Sequence, residues 1–257
     1  MLLAVDCGNT NIVLGVFAEK ELIGDWRIAT DRVKTSDEYM TIINALLGEK
    51  NIRFSDLDGM IVGSVVPSVT LAFHKFAKKY LACPAYFVDH TTPTGLKILM
   101  DNPMEVGADR IINSVAAHKK YGGDLIIIDL GTATTFDCVT AAGEYIGGAI
   151  CPGMETSQQA LFSRAAKLAS IDLYCPPSFI GRNTADAMRS GILWGYGGMM
   201  DALVHHMREE WSPQAKVIAT GGLASFVKLF TTTIDIVDVP LTLDGLQLIW
   251  EIVKPSL

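Results

Sequence analysis

The chain has 257 residues, enough for one large domain or two of ordinary size with ample core. Hydrophobic residues make up 49% and charged ones 19%, the balance of a compact soluble globule and not of a disordered chain. A net charge of −7 with a pI near 5.2 argues against nucleic acid or an anionic membrane as the main partner, and no apolar run approaches the roughly 18 residues of a membrane helix.

Five cysteines, at 7, 83, 138, 151 and 175, are an odd number without a C-x-x-C pair. They read as reduced thiols of a cytoplasmic protein. No basic region or cleavage site opens the chain, so no signal peptide is expected. Leu2–Val5 predicts a short buried strand, followed by Asp6-Cys7-Gly8-Asn9-Thr10-Asn11 and a return strand over Ile12–Phe17. Glu21–Ala29 predicts a third strand, with Trp26 and Ile28 alternating against charged neighbours. Thr35 offers a helix N-cap, Tyr39, Ile42, Ile43, Leu46 and Leu47 give a helical stripe, and Gly48 is the expected stop. A buried strand over Asp58–Val66 leads to a helix begun by Pro67, with Leu71, Phe73, Phe76 and Ala77 inward. Ala85–Val88 is a further strand, and Asn102-Pro103 marks a turn.

Glu105–Arg110 opens a helix running to Tyr121, with Ile111, Ile112, Val115 and Ala116 buried. Two readings of Asp109 stand side by side: a cap for exposed helix N–H groups, with Arg110 as a surface ion partner, or a general base taking a proton from an attacking hydroxyl. Leu125–Asp137 (LIIIDLGTATTFD) then repeats the N-terminal device: an apolar strand, an acid at Asp129, and a hydroxyl-rich turn over Leu130–Thr135. Such a turn is either an ordinary β-turn or a cradle whose N–H and hydroxyl groups hold phosphate beside a carboxylate-bound Mg²⁺. Met60–Pro67 and Val217–Leu223 form a second echo. The doubling predicts two similar domains, with the boundary near the Asp109–Tyr121 helix and the acidic turns opposed across one cleft. Later, Glu144–Pro152 predicts a strand with a Gly-Gly break, and Gly153 begins a helix through Leu168. A helix after Gly181–Thr184 carries Met188, Ile192, Leu193, Tyr196, Met199, Met200, Leu203 and Met207, with Gly191, Gly195, Gly197 and Gly198 allowing close helix approach. That stripe fits a core or a subunit interface. The adjacent His205 and His206 point to different helix faces and make no metal pair. Thr220-Gly221-Gly222 would let backbone lie against a flat ring, and Asp244 begins a last helix closing the second domain.

These pieces together resemble the type III pantothenate kinase family, within the superfamily of acetate and sugar kinases, Hsp70 and actin. The resemblance rests on Asp6–Asn11, Ser64–Pro67, Asn102-Pro103, Gly107–Arg110, Asp129–Thr135, Gly147–Ile150 with Pro152-Gly153, Ser163–Leu168 and Thr220–Leu223, in the family's order over nearly the whole chain. It implies an α/β fold of two ribonuclease H-like (actin-like ATPase) domains facing a central cleft, 1–115 and 116–257. It also implies ATP-dependent phosphorylation of pantothenate, the first step toward coenzyme A. Carried over residue by residue, Asp6, Cys7, Gly8, Asn9, Thr10, Asn11, Ile12 and Val13 hold ATP, and Thr132 contacts it as well. Gly107, Ala108, Asp109 and Arg110 line the pantothenate pocket, with Asp109 as the base and Arg110 holding the substrate carboxylate or phosphates; Thr184 is a further pantothenate contact. By the same resemblance Asp129 is expected to hold a monovalent cation, K⁺ or NH₄⁺, Asp6 to sit near Mg²⁺, and the protein to be a homodimer.

One position departs from the pattern. Many family members carry Tyr two residues before the Asn-Pro turn, where this chain has Met100, which offers apolar contact and no hydroxyl. Two rivals remain at this stage. A related kinase for another small substrate is disfavoured by Gly107–Arg110, and a non-catalytic nucleotide-binding regulator by the joint presence of Asp6, Asp109 and Asp129. No G-x-x-x-x-G-K-[ST] occurs, which excludes the P-loop route.

Overall fold

The computed structural model describes residues 1–164 and 171–256. The chain divides into two compact units, Met1–Lys120 with Pro240–Leu257, and Tyr121–Val239. In the first, β1 (Leu2–Cys7), β2 (Asn11–Ala18) and β3 (Glu21–Ala29) make an antiparallel meander. On the other side of β1, β4 (Gly59–Ser64) and β5 (Ala85–Phe87) add in parallel, giving the order β3-β2-β1-β4-β5. Leu3, Ala4 and Val5 are wholly buried, as a strand covered on both faces requires.

Helices α1 (Ser36–Glu49) and α2 (Pro67–Tyr80) supply Tyr39, Ile43, Leu47, Val69, Phe73 and Phe76 to one cluster with Leu3, Val5 and Leu14. Each fully buried side chain of this kind stabilises the fold by about 1.5–3 kcal/mol. Thr35 caps α1 as expected: its hydroxyl oxygen accepts from the Glu38 N–H, and the Glu38 carboxylate accepts from the Thr35 N–H at 2.8 Å. The helix runs one residue beyond Gly48, and Leu71 of α2 is 55% exposed instead of inward. Val69, Ala72, Phe73 and Phe76 form the buried face, which leaves position 71 on the opposite side. A two-residue strand, β6 (Lys97–Ile98), and a 3₁₀ turn over Pro103–Glu105 then lead to α3 (Ala108–Tyr121).

The second unit repeats the first. Strands β7 (Leu125–Leu130), β8 (Ala133–Val139) and β9 (Glu144–Pro152) form the meander, and β10 (Lys216–Thr220) and β11 (Ile236–Val237) lie parallel beyond β7. The order β9-β8-β7-β10-β11 matches β3-β2-β1-β4-β5 strand for strand. Among the described residues three helices belong here: α4 (Met154–Arg164), α5 (Thr184–Glu210) and α6 (Ala224–Val227). Leu193, Tyr196, Met200 and Val204 of α5 pack with Ile126, Ile128 and Phe136, so the apolar stripe is core.

Two expectations change, and a third is only partly described. The hydroxyl-rich turn is only Gly131-Thr132, because Ala133-Thr134-Thr135 already belongs to β8, where β-branched threonines fit the pleat. Thr134 is buried and hydrogen-bonded to the Tyr196 hydroxyl. Of the four α5 glycines, only Gly197 marks a close approach: a Cβ there would stand 1.9 Å from the Phe230 carbonyl oxygen, whereas Gly191, Gly195 and Gly198 have open space. Of the Ser163–Leu168 motif, Ala165–Leu168 lie outside the described residues.

The last helix, α7 (Leu241–Val253), packs on β1, β2 and β4 in the first unit, although the sequence reading gives it to the second. Its apolar face explains the return. Trp250 seats against Gly59, and a Cβ at Gly245 would come 2.4 Å from the Ile112 carbonyl oxygen of α3. A Cβ at Gly63 of β4 would come as close to the Ile112 side chain, at 2.3 Å. Glycines at the strand and at the helix crossing therefore hold α3, and the residues at its start, against the sheet. No described helix is long and apolar enough to cross a membrane.

Candidate active site

The doubled topology puts an acid at the same place twice. Asp6 is the fifth residue of β1 and Asp129 the fifth of β7; Asp6 pairs with Val13 and Gly63, and Asp129 with Thr135 and Thr220. Each strand then runs into a short hairpin turn, Gly8-Asn9-Thr10 in the first unit and Gly131-Thr132 in the second.

The first turn is closed by Gly8 N–H donating to the Asn11 carbonyl at 3.0 Å. Residue 30, next after β3, holds it from outside: the Thr30 hydroxyl donates to the Gly8 carbonyl at 2.7 Å and the Thr30 N–H to the Thr10 carbonyl at 2.9 Å. Arg32 Nη2 donates to Asn9 Oδ1 at 3.1 Å. Within the predicted ATP segment, the Cys7 and Ile12 side chains are wholly buried in the sheet core, so only their backbone can meet a ligand. Burial, and then the neighbouring Asp6 charge, push the Cys7 thiol well above its ordinary value despite a hydrogen bond with Ser64. That thiol stays neutral and unreactive.

Gly107–Arg110 form the start of α3, where the Gly107 carbonyl accepts from the Ile111 N–H at 3.2 Å. Ala108 and Arg110 are buried and Asp109 is half-buried, which removes the reading of Arg110 as a surface ion partner. Asp109 Oδ1 accepts from the Arg110 N–H at 2.8 Å, so the capping reading holds for that oxygen. Desolvation nevertheless raises the Asp109 carboxyl above its ordinary value, outweighing the Arg110 N–H and the Arg110 charge. A carboxylate made more basic by burial at a helix start suits proton acceptance. Gly107 guards that geometry, since a Cβ there would stand 2.6 Å from Asp109 Oδ1. Gly107→Ala is expected to lower kcat about 10²-fold by displacing the carboxylate, with little change in melting temperature; steady-state kinetics checks it. Met100 is half-buried ahead of the turn at Asn102, whose Oδ1 accepts from the Met104 N–H at 3.2 Å.

In the second unit, Thr132 stands exposed at the hairpin tip. Its carbonyl accepts from the Gly153 N–H at 3.0 Å and from the Thr156 hydroxyl of α4 at 2.7 Å. Asp129 is half-buried beneath Gly221: a Cβ at Gly221 would lie 2.8 Å from Asp129 Oδ1 and 2.6 Å from the Leu130 carbonyl oxygen. A carboxylate and a backbone carbonyl converging on one glycine are hard oxygen donors, which fit an alkali cation. The Asp6 carboxylate is likewise a donor of the type Mg²⁺ takes. Thr184 is exposed in the first turn of α5, capped by Asn183 Oδ1, which accepts from the Asp186 N–H at 2.8 Å. It lines a groove of about 600 Å³ between α4 and α5 with Ser157, Leu161, Met188, Gly191 and Tyr196.

The hydrogen bonds of Thr30, Arg32 and Thr156 to the two hairpin turns are not legible in the sequence. The only sequence signal was position, a threonine just after a strand facing the turn or just inside the helix after Gly153.

Two units of one strand order, each with an acid near the end of its first strand and a tight hairpin after it, define the actin-like ATPase fold. MreB 5 of Spiroplasma citri, solved bound to AMPPNP, matches it with a TM-score of 0.57 and 10% identity, covering 99% of this chain and 97% of that one, a likeness of fold alone. The chain belongs to the type III pantothenate kinase family, whose sequence model matches residues 2–206. It is 47% identical over 251 residues to the type III pantothenate kinase of Citrifermentans bemidjiense, covering 98% of this chain and 99% of that protein. The one from Exiguobacterium sibiricum is 48% identical over 251 residues, with the same shares covered.

Proposed function

We propose that the protein transfers the γ-phosphoryl group of ATP to the hydroxyl of pantothenate, giving 4'-phosphopantothenate and ADP, the first step of coenzyme A biosynthesis. The observation that carries this reading is near-half identity to type III pantothenate kinases over 98% of the chain, with Asp109 held basic at the start of α3. Asp109 accepts the hydroxyl proton as that oxygen bonds to the γ-phosphorus and the bond to the β-bridging oxygen breaks. Gly107, Ala108, Arg110, Met100 and Thr184 bind pantothenate, with Arg110 meeting its carboxylate or the phosphates. The segment from Asp6 to Val13 holds the ATP phosphates and Thr132 contacts them. Phosphoryl transfer asks the protein mainly for positioning and charge neutralisation, which donor-rich turns supply. Mg²⁺ beside Asp6 and K⁺ or NH₄⁺ at Asp129 would neutralise phosphate charge when bound.

The same reading includes a homodimer. It is supported by the outer face of α5, where Trp194 and Gly195 are exposed beside Phe179 at 67% and Ile180 at 79%. A cytoplasmic location is proposed from the five free cysteines.

The test is ADP release from ATP and Mg²⁺ with and without pantothenate, in K⁺ and again in Na⁺ alone. Release that needs pantothenate and K⁺ is expected. None in either salt, from folded protein, would sink the kinase reading; release indifferent to K⁺ would remove only the cation role of Asp129.

A further inference from the structure

The two hairpins share a device beyond their acids. A turn that receives phosphate has to present N–H groups and turn its oxygens away, since carbonyl and phosphate oxygens repel. In the first unit four acceptor oxygens around the turn meet protein donors: Gly8 O takes the Thr30 hydroxyl at 2.7 Å, Thr10 O the Thr30 N–H, Asn11 O the Gly8 N–H, and Asn9 Oδ1 the Arg32 guanidinium. In the second unit Thr132 O takes the Thr156 hydroxyl, again at 2.7 Å, together with the Gly153 N–H. The donors come from unrelated places, the residue after β3 in one case and the third residue of α4 in the other. A threonine hydroxyl thus holds a hairpin carbonyl in each half, at Gly8, two residues after Asp6, and at Thr132, three residues after Asp129.

We infer that Thr30 and Thr156 are positioning residues for ATP, whose hydroxyls pull the Gly8 and Thr132 carbonyls back and so aim the two hairpin turns at phosphate. This rests on the proposed role of those turns in ATP binding. In this role each threonine acts through the turn carbonyl it holds. Without its hydroxyl, the turn carbonyl loses a restraint against rotating toward the anion (at Thr132 the Gly153 N–H remains), and the cost falls on nucleotide affinity.

The experiment compares Thr30→Val, Thr156→Val and the double variant with Thr30→Ser and Thr156→Ser. Valine keeps shape and β-branching and removes the donor; serine keeps the donor and loses the methyl. Each valine variant is expected to raise the KM for ATP and its calorimetric Kd about ten-fold, with the KM for pantothenate unchanged. The serine variants should return to near wild type. Val variants with unchanged ATP affinity, or Ser variants as weak as Val, would overturn the inference, the second because the methyl and not the hydroxyl would then matter. Melting without nucleotide reports folding, and Thr30→Ala and Thr156→Ala replace any valine variant that does not fold. Calorimetry separates the two levels. A wild type that binds ATP but turns over no pantothenate defeats the kinase reading and leaves the comparison of variants in force; a wild type that binds no ATP overturns the inference directly.

Discussion

Asp109→Asn is expected to lower turnover by about 10²–10⁴-fold, the usual worth of a general base, with ATP affinity kept. Asparagine retains an Oδ1 that can accept the Arg110 N–H, now at 2.8 Å, so the start of α3 is preserved. Stability should move the other way from activity. The folded Asp109 carboxyl is raised above its unfolded value, chiefly by desolvation. Its contribution to stability is therefore fully present below the unfolded value, near 3.9, and is lost as pH rises through the folded one. At neutral pH the charged form is a burden on the fold, and the asparagine variant should be at least as stable as wild type in urea titration. The same shift places the acid limb of the wild-type kcat/KM profile above the range of an ordinary aspartate, with activity falling as the base is protonated. Unchanged turnover would remove Asp109 from the chemistry. A variant that is inactive and also clearly less stable would return it to a capping role.

How far the sequence could be read follows from where the information lay. The strands β3 and β9 fall where alternation and buried apolar runs place them, over Glu21–Ala29 and Glu144–Pro152, and the Thr35 capping box is visible as a local spacing. The repeat was legible because an acid after four apolar residues appears in both halves, at Asp6 and Asp129. Two things were hidden. Ownership of α7 depends on tertiary contacts, the seating of Trp250 on Gly59 and of Gly245 on Ile112, which no local pattern encodes. The extent of the second turn was misread because a run of glycine, alanine and threonines looks like a loop, whereas cross-strand pairing of Thr134 with Leu130 and burial under Tyr196 make it strand. Propensity is a weak guide where pairing decides. In the site, Asp109 was legible as a candidate, but its role turned on burial, and burial of Arg110 could not be told from a charged residue in a helix's first turn.

Gly221→Ala should damage the second unit twice over, through backbone strain and through a clash at Asp129. Gly221 holds φ at +94°, and an added Cβ would meet the Leu130 carbonyl oxygen at 2.6 Å and Asp129 Oδ1 at 2.8 Å. The left-handed backbone costs alanine about 1–2 kcal/mol, and overpacking against a carbonyl that cannot rotate out of its strand adds about 1–3 kcal/mol. The loss, of order 2–5 kcal/mol, should appear as a lower urea midpoint. Function should suffer separately, because the clash drives the Asp129 carboxylate from the place where it converges with the Leu130 carbonyl. Activation by K⁺ over Na⁺ is thus expected to disappear in Gly221→Ala, and also in Asp129→Asn, which removes charge without any clash. Comparing them isolates the cause. Loss of the K⁺ response in both, with the urea midpoint lowered only in the alanine variant, assigns the cation to Asp129 and the strain to the backbone. A Gly221→Ala protein with wild-type stability and K⁺ response would mean that the glycine is not needed for the turn over Asp129, and that the oxygens gathered beneath it do not form the cation site.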